Sequence, residues 1–254
     1  MQKGAKMPKF FVDKNQITED TIFITGENAH HISRSLRMAP GEKITVSDMD
    51  GFDYDCVLES FTENTVNAKI TNKYLSIAEP EIKVHLYQAL PKGDKLDLII
   101  QKSVECGAYD ITPFESTNCV VKIKGDSESK KIDRRNKIAL EAAKQCGRGI
   151  IPKVNQSLSF NDMLKCASSS DVVLFCYEGD GTLPMARALR KLRTEKTIKD
   201  ISIIIGSEGG FSSTEVSYAE KYGFVKIGLG KRILRAETAA IMSLACIVYE
   251  FELD

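Results

Sequence analysis

The residues most able to do chemistry are glycines and a carboxylate that follow a short apolar run near the carboxyl end. The run is ISIIIG at 201–206, and the turn after it places Glu208 between Ser207 and Gly209. Glycines here, including Gly206 and Gly210, allow the backbone to approach a ligand closely. Such turns often bind phosphate, but the carboxylate of Glu208 would repel that anion. It would suit a ribose hydroxyl or a cationic ligand, and S-adenosylmethionine supplies both.

A second turn carries three cations beside two glycines. Gly228 and Gly230 flank the end of another strand-like run, and the cations Lys231, Arg232 and Arg235 follow at once. The ends of strands are where α/β proteins bind ligands, and the planar arginine side chain suits a phosphate or carbonyl oxygen of RNA. A purely structural role is the alternative for both turns: glycines required by a tight turn, and cations that cap a helix.

The spacing of apolar residues predicts the strands and helices that position these two turns. From residue 82 onward, strand-like runs alternate with helical patterns, which predicts an α/β layer structure. Ser212 followed by Glu215 forms a capping box that starts a helix directly after the first turn. The predicted strands lie at 82–90, 109–114, 171–178, 201–206 and 225–230, and the predicted helices at 95–107, 132–146, 159–167, 182–192 and 237–252.

The chain before residue 76 has a different pattern. Five short strand-like runs are separated by turn signals such as Pro40-Gly41 and Asp50-Gly51, and one helix is predicted at 27–38. We therefore predict a small β-barrel with one helix over 7–76, followed by a second domain over 77–254. Residues 1–6 are predicted to be an extension.

The composition is that of an ordinary globular protein, with 43% hydrophobic and 28% charged residues in 254. No apolar run approaches the roughly 18–20 residues that a membrane span needs, and no signal peptide is recognisable. Seven cysteines without CxxC spacing favour reduced structural thiols in a cytoplasmic protein. The three histidines, His30, His31 and His85, give no metal-binding pattern. We predict no metal and no membrane association.

Charge is distributed unevenly on a chain whose net charge is zero. Ten lysines and arginines against four acids fall within 118–153, and five against none fall within 221–235. Two local basic patches on a neutral protein suit a polyanion that docks at a defined place. An ordinary solvated surface is the alternative for either patch taken alone.

Both turns have a counterpart in a known family. GSEGGFS at 206–212 and LGKRILRAET at 229–238 resemble the two signature loops of the bacterial 16S rRNA uracil-N(3) methyltransferases, which belong to the SPOUT superfamily. The similarity also covers MPKFFV, HHISRSLRM, LPKGDKLDLIIQKSVECG and EAAKQCGRGIIPKV, and so spans residue 7 to the carboxyl end. This chain has Ser207 where the family usually has proline, so its turn lacks a stiffening residue.

The resemblance implies an amino-terminal PUA-like barrel that docks RNA and a carboxyl-terminal α/β domain with a trefoil knot. It also implies a homodimer that acts on 16S rRNA or the small ribosomal subunit and binds S-adenosylmethionine in the knot. The implied cofactor-binding residues are Leu174, Tyr177, Glu178, Gly206, Ser207, Gly209, Gly228, Leu229, Gly230, Ile233 and Leu234. The residues expected to contact RNA are Arg34, Arg37, Lys92, Arg148 and Arg232.

Methylation of uracil N3 requires that this nitrogen lose its proton. Glu208 and Glu237 are the carboxylates expected to assist, and Arg235 or Arg232 would stabilise negative charge on the uracil oxygens. A nucleotide-binding oxidoreductase is one competing hypothesis, but it predicts a GxGxxG spacing that the turn lacks. A non-catalytic RNA-binding protein with the same fold is the other.

Overall fold

The structure, a computed structural model, describes residues 7–122, 125–195 and 197–253, and only the backbone of 125–129. The predicted extension at 1–6 and Lys124 of the first basic patch lie outside the described residues. The chain forms two compact units. The first comprises the chain up to Glu79 together with Ala143–Ile151, and the second comprises Pro80–Ala142 and the chain from Pro152 onward.

The first unit contains a five-stranded sheet in the order β1-β3-β4-β5-β2. Alternating residues build its core: Ile22 and Ile24 of β2 are fully buried, whereas Phe23 between them is 41% exposed. The predicted helix at 27–38 is shorter, since α1 continues as a π-helical turn that ends at Ser35. The elements are β1 Lys9–Phe11, β2 Thr21–Thr25, α1 Gly26–His30, β3 Lys43–Ser47, β4 Phe52–Phe61 and β5 Thr65–Leu75.

The segment Ala143–Ile151 joins this unit although it lies far away in the sequence. Glu79 holds it: its carboxylate accepts hydrogen bonds from the Arg148 guanidinium, at 2.6 Å from Nη2, and from the backbone N–H groups of Gly149 and Ile150 at 2.7 and 3.0 Å. The Ser47 hydroxyl donates to the carbonyl of Gly149 at 2.9 Å. Periodicity in the sequence gave no sign of this association.

The second unit is built on one parallel sheet in the order β11-β13-β10-β12-β6-β7-β8, with β9 paired to β7. Its strands are β6 Lys83–Ala89, β7 Asp110–Glu115, β8 Lys153–Val154, β9 Leu158–Ser159, β10 Val172–Cys176, β11 Leu183–Pro184, β12 Asp200–Ile205 and β13 Val225–Gly228. Its helices are α2 Lys95–Glu105, α3 Gly125–Cys146, α4 Phe160–Ala167, α5 Met185–Thr194, α6 Ser213–Lys221 and α7 Ala236–Phe251. The predicted α/β architecture is confirmed.

Helix boundaries follow the capping signals with one exception. The capping box that starts α6 is formed as predicted, because the Ser212 hydroxyl accepts from the Glu215 N–H and the Glu215 carboxylate accepts from the Ser212 N–H. The predicted start of α3 near residue 132 is wrong, since the helix begins at Gly125. The added turns have a polar sequence, and polar residues carry no apolar periodicity by which a helix could be recognised.

None of the seven cysteines, all of which lie within the described ranges, forms a disulfide. Burial raises the pKa of Cys176, on β10, to about 12, so this thiol stays protonated near neutral pH. Within the described ranges, every helix is too short or too polar to cross a bilayer.

A histidine lies between two aspartates at the amino-terminal edge of the parallel sheet. Nδ1 of His85, on β6, is 3.1 Å from Asp110 Oδ2 on β7, and Nε2 is 3.2 Å from Asp200 Oδ1 on β12. The hydrogen bond with Asp110 raises the pKa of His85 against the opposing effect of burial, and Asp200 adds to the rise. The imidazole therefore links three neighbouring strands, and both aspartates favour its protonated form.

We expect His85→Gln to destabilise the protein more at pH 6 than at pH 9. The pKa of His85 is higher in the folded protein than in the unfolded one. The stabilisation that His85 provides is therefore fully present below about pH 6.5 and is lost as the pH rises through the folded pKa. Hydrogen bonds to charged groups contribute about 1.5–3 kcal/mol, which is the loss expected at pH 6. Urea unfolding at both pH values measures it. His30→Gln, at an exposed position, is the control, and an equal loss for His85→Gln at both pH values would contradict the prediction.

Candidate functional site

The two glycine-containing turns meet at the carboxyl-terminal edge of the parallel sheet. Strands β12 and β13 pair with opposite sides of β10, and all three are parallel. Gly206 and Gly230 follow β12 and β13, two strand spacings apart, which corresponds to about 10 Å. The N–H of Tyr177 donates to the carbonyl of Ile227 at 2.9 Å and extends the pairing past the end of β10. Three loops thus follow three neighbouring strands at the same edge of the sheet.

The glycines of the first loop are required by the packing of the protein itself. A Cβ at Gly206 would lie 3.1 Å from the ring of Phe211, and a Cβ at Gly209 would lie 2.9 Å from Cβ of Asn118. The Asn118 amide also donates to the carbonyl of Gly209 at 2.8 Å. Gly210 has a φ of +62°, and its Cβ would face the Glu178 carboxylate at 3.6 Å. The steric explanation therefore holds for Gly206 and Gly209, and it fixes the shape of the loop.

Two carboxylates from different segments face one lysine at this edge. Nζ of Lys95, at the start of α2, is 2.5 Å from Glu208 Oε1 and 3.9 Å from Glu237 Oε2 on α7. Burial opposes the ionisation of Glu208, but hydrogen bonds from Lys95 and from backbone N–H groups, including that of Lys92, outweigh it and lower the pKa. Glu208 is therefore a carboxylate anion at neutral pH.

Several buried acceptors near this edge have no hydrogen-bond partner within the described part of the chain. They are the Ser207 hydroxyl, Oε2 of Glu237 and Oε1 of Gln88. Gln88, near the end of β6, donates through Nε2 to the carbonyl of Gly206 at 3.3 Å. Unpaired buried polar atoms are costly, so they mark a place where a ligand can supply the missing partner. Hydroxyl and ammonium donors, such as those of S-adenosylmethionine, fit this set of acceptors.

Gln88 and Asn118 were missed by the reasoning from sequence. A polar residue inside the apolar run VHLYQAL was the one available signal for Gln88. Asn118 carries no local signal, because its importance arises from its contact with a loop more than 90 residues away.

The other residues predicted to bind the cofactor lie around the same loops. Leu174 is fully buried in β10 and pairs with both β12 and β13, whereas Ile233 is 84% exposed beyond Gly230. Tyr177, Leu229 and Leu234 are partly buried, and Glu178 is exposed. Gly228 packs closely, since a Cβ there would lie 2.8 Å from the Thr182 hydroxyl. Arg235 is exposed at the N-cap of α7, next to Glu237.

Four of the five residues predicted to contact RNA have exposed positions: Arg34, Arg37, Lys92 and Arg232. Arg148 differs, because its side chain is 3% exposed and its guanidinium binds Glu79. That position contradicts the predicted RNA contact. Arg148 lies beyond the end of α3 at Cys146, after the chain has turned through Gly147 at a φ of +84°.

Part of the positive charge in the two basic patches is neutralised locally. Arg134 binds Asp97, and Lys226 binds Glu220 at 2.6 Å. Within the described ranges, no group of three or more His, Cys, Asp or Glu side chains is arranged to hold a metal ion.

Comparisons with known proteins identify the family. A model of the RNA methyltransferase domain matches residues 78–248, and a model of the RNA methyltransferase PUA domain matches residues 24–71. Ribosomal RNA small subunit methyltransferase E of Bacillus subtilis is 36% identical over 251 residues, covering 97% of this chain and 98% of that protein. The protein of the same name from Mesomycoplasma hyopneumoniae is 37% identical, covering 95% of this chain and 99% of its own length.

A solved structure agrees with both sequence matches. The crystal structure of a ribosomal RNA small subunit methyltransferase E from Neisseria gonorrhoeae bound to S-adenosyl methionine has a TM-score of 0.81. It is 27% identical, and the match covers 96% of this chain and 98% of that one. The chain therefore belongs to the RNA methyltransferase family that combines a PUA domain with a methyltransferase domain.

Proposed function

We propose that the protein transfers a methyl group from S-adenosylmethionine to nitrogen 3 of one uridine in 16S ribosomal RNA. The names of the relatives, which cover nearly the whole chain, support ribosomal RNA of the small subunit as the substrate. The cofactor bound in the Neisseria gonorrhoeae relative supports S-adenosylmethionine. A non-catalytic RNA-binding role is less well supported, since both loops and both carboxylates of the site are intact.

One observation carries the proposal. Three loops follow the ends of β10, β12 and β13 at one edge of the sheet, and buried acceptors of Ser207, Gln88 and Glu237 at this edge have no hydrogen-bond partner in the described part of the chain. The cofactor would lie against these loops, held by backbone groups near Leu174, Tyr177, Gly209 and Leu229. When bound, it supplies an electrophilic methyl group on a sulfonium.

The residues of the chain orient the uridine and move one proton. The uracil N3–H must be deprotonated near Glu208 or Glu237, and exposed Arg235 and Arg232 would stabilise the negative charge that develops on the uracil oxygens. The pairing edge of the uracil must be free, so the substrate is an unpaired or extruded base. Arg34, Arg37 and Lys92 would hold flanking RNA through its phosphates.

The proposal also covers the oligomeric state of the protein and its location in the cell. The protein would act as a homodimer in the cytoplasm, where ribosomal RNA is made, with its carboxyl-terminal domain forming the trefoil knot of the family it resembles. It would work without a metal ion, because proton transfer by carboxylates and positioning of the methyl group supply the chemistry.

Gly209→Ala is expected to weaken the binding of S-adenosylhomocysteine, the demethylated product, by about 5- to 150-fold. The added Cβ would lie 2.9 Å from Cβ of Asn118 and 3.2 Å from its carbonyl oxygen, so the loop must shift. Overpacking of this kind costs about 1–3 kcal/mol. Titration calorimetry measures the affinity. Adding Asn118→Gly should recover part of it, and an unchanged affinity for Gly209→Ala alone would show that the loop does not contact the cofactor.

The most direct test of the proposed function is to detect the methylated nucleotide in 16S rRNA. We expect 16S rRNA from cells that lack the protein to be missing one N3-methyluridine, detected by mass spectrometry of nuclease fragments. Purified protein with S-adenosylmethionine should restore the methyl group on that RNA. Methylation at another atom or in another RNA would refute the proposal.

A further inference from the structure

Lys95 occupies a position that is unfavourable for a lysine on its own. It is the first residue of α2, where the positive end of the helix dipole disfavours a cation. Its side chain is 33% exposed, so water solvates the ammonium group only in part. Partial burial of a charge requires partners that compensate for the lost hydration.

The compensating partners are the two carboxylates of the proposed site. Glu208 approaches from the loop after β12 at 2.5 Å, and Glu237 approaches from α7 at 3.9 Å. The backbone N–H of Lys92, in the loop after β6, donates to the same Glu208 oxygen at 3.3 Å. One ammonium group therefore connects its own segment to two others, both of which lie more than 100 residues farther along the chain.

This arrangement makes the two carboxylates chemically different. Glu208 is held by Lys95 and by backbone N–H groups, which favour its ionised form and make it a weak proton acceptor. Glu237 is farther from the ammonium group, and its Oε2 has no hydrogen-bond partner in the described part of the chain. Glu237 therefore has a buried oxygen for which a donor is missing.

We propose that Lys95 is a positioning residue for methyl transfer: it clamps Glu208 in place and leaves Glu237 as the carboxylate that receives the uracil N3 proton. This inference rests on the proposed function. The proton leaves N3 for Glu237, the N3 electron pair forms the bond to the methyl carbon, and the electron pair of the broken carbon–sulfur bond stays on sulfur. Lys95 exchanges no proton in this scheme.

The test compares three substitutions in the full-length protein. Lys95→Met removes the charge, Lys95→Arg keeps it, and Lys102→Met removes a lysine that binds Glu105 on the same helix. Two quantities are measured: the affinity for S-adenosylhomocysteine from pH 4 to 8 by calorimetry, without RNA, and single-turnover methylation of 16S rRNA. Thermal unfolding checks folding, and Lys95→Gln replaces the methionine variant if that protein does not fold.

We expect Lys95→Met to shift the acidic loss of affinity to higher pH, because Glu208 is then protonated more easily. Turnover should fall at least about tenfold, with most of it restored in Lys95→Arg and none lost in Lys102→Met. If Lys95→Met behaves like Lys102→Met in both measurements, or if arginine restores nothing, the inference is wrong. A wild-type protein that neither binds S-adenosylhomocysteine nor methylates the RNA would refute the proposed function instead.

Discussion

Glu237→Gln is expected to lower single-turnover methylation of 16S rRNA by about 100- to 1,000-fold, the usual contribution of a general base. Glutamine has nearly the same shape but cannot accept a proton, so the uracil N3–H would lose its acceptor. Affinity for S-adenosylhomocysteine should change much less, because that ligand carries no proton that must be removed. Rapid-quench measurement of the transfer of labelled methyl groups, together with calorimetry, separates the two effects.

The matched control for this substitution lies on the same helix. Glu250→Gln makes the same chemical change near the other end of α7, where the carboxylate is 3.8 Å from Arg193. It should leave the rate of methyl transfer within about threefold of wild type, since Glu250 lies about 20 Å along the helix from Glu237. If Glu237→Gln turns over nearly as fast as wild type, Glu237 is not the proton acceptor, and Glu208 becomes the candidate.

Glu79→Ala is expected to destabilise the first unit by about 3–5 kcal/mol, the usual cost of breaking a buried ion pair by removing one partner. Arg148 would keep a buried charge, since its side chain is 3% exposed and that of Glu79 is 15% exposed. The N–H groups of Gly149 and Ile150 would lose their acceptor at the same time. Urea unfolding followed by circular dichroism measures the loss.

Glu81→Ala is the control, because Glu81 is exposed two residues farther along the chain. An exposed substitution of this kind should change the free energy of unfolding by less than about 0.5 kcal/mol. If both variants unfold at the same urea concentration, the contacts of Glu79 do not hold the segment Ala143–Ile151 in place. A loss confined to Glu79→Ala would identify this carboxylate as the main anchor of that segment.

Local signals predicted much of the fold. Each predicted strand of the second domain lies within a few residues of an observed one, and the Ser212–Glu215 capping box is present because it depends on residues three positions apart. The order of the strands could not be derived in this way. The position of β10 between β12 and β13 depends on packing between segments that are distant in sequence.

In the candidate site, too, local motifs were recognisable whereas tertiary contacts were not. Gly206, Glu208 and Glu237 were recognisable from their motifs, and the structure brings Glu208 and Glu237 to the same lysine. Arg148 was predicted to contact RNA, but its guanidinium binds Glu79, and no local pattern indicates a contact between residues 69 positions apart. Gln88 and Asn118 stand in segments whose neighbours are set by tertiary contacts, so no rule of spacing could select them.

The return of Ala143–Ile151 to the first unit has a consequence for synthesis on the ribosome. Residues up to Glu79 leave the exit tunnel long before Ile151 does. Until Ile151 has emerged, the carboxylate of Glu79 faces solvent and the Ser47 hydroxyl lacks its Gly149 acceptor. Its last contacts close only after about 70 further residues have been translated, at some 5–20 residues per second. A gene fragment that stops at residue 79 would therefore encode an unfinished domain, and adding back a peptide that covers 143–151 should complete it.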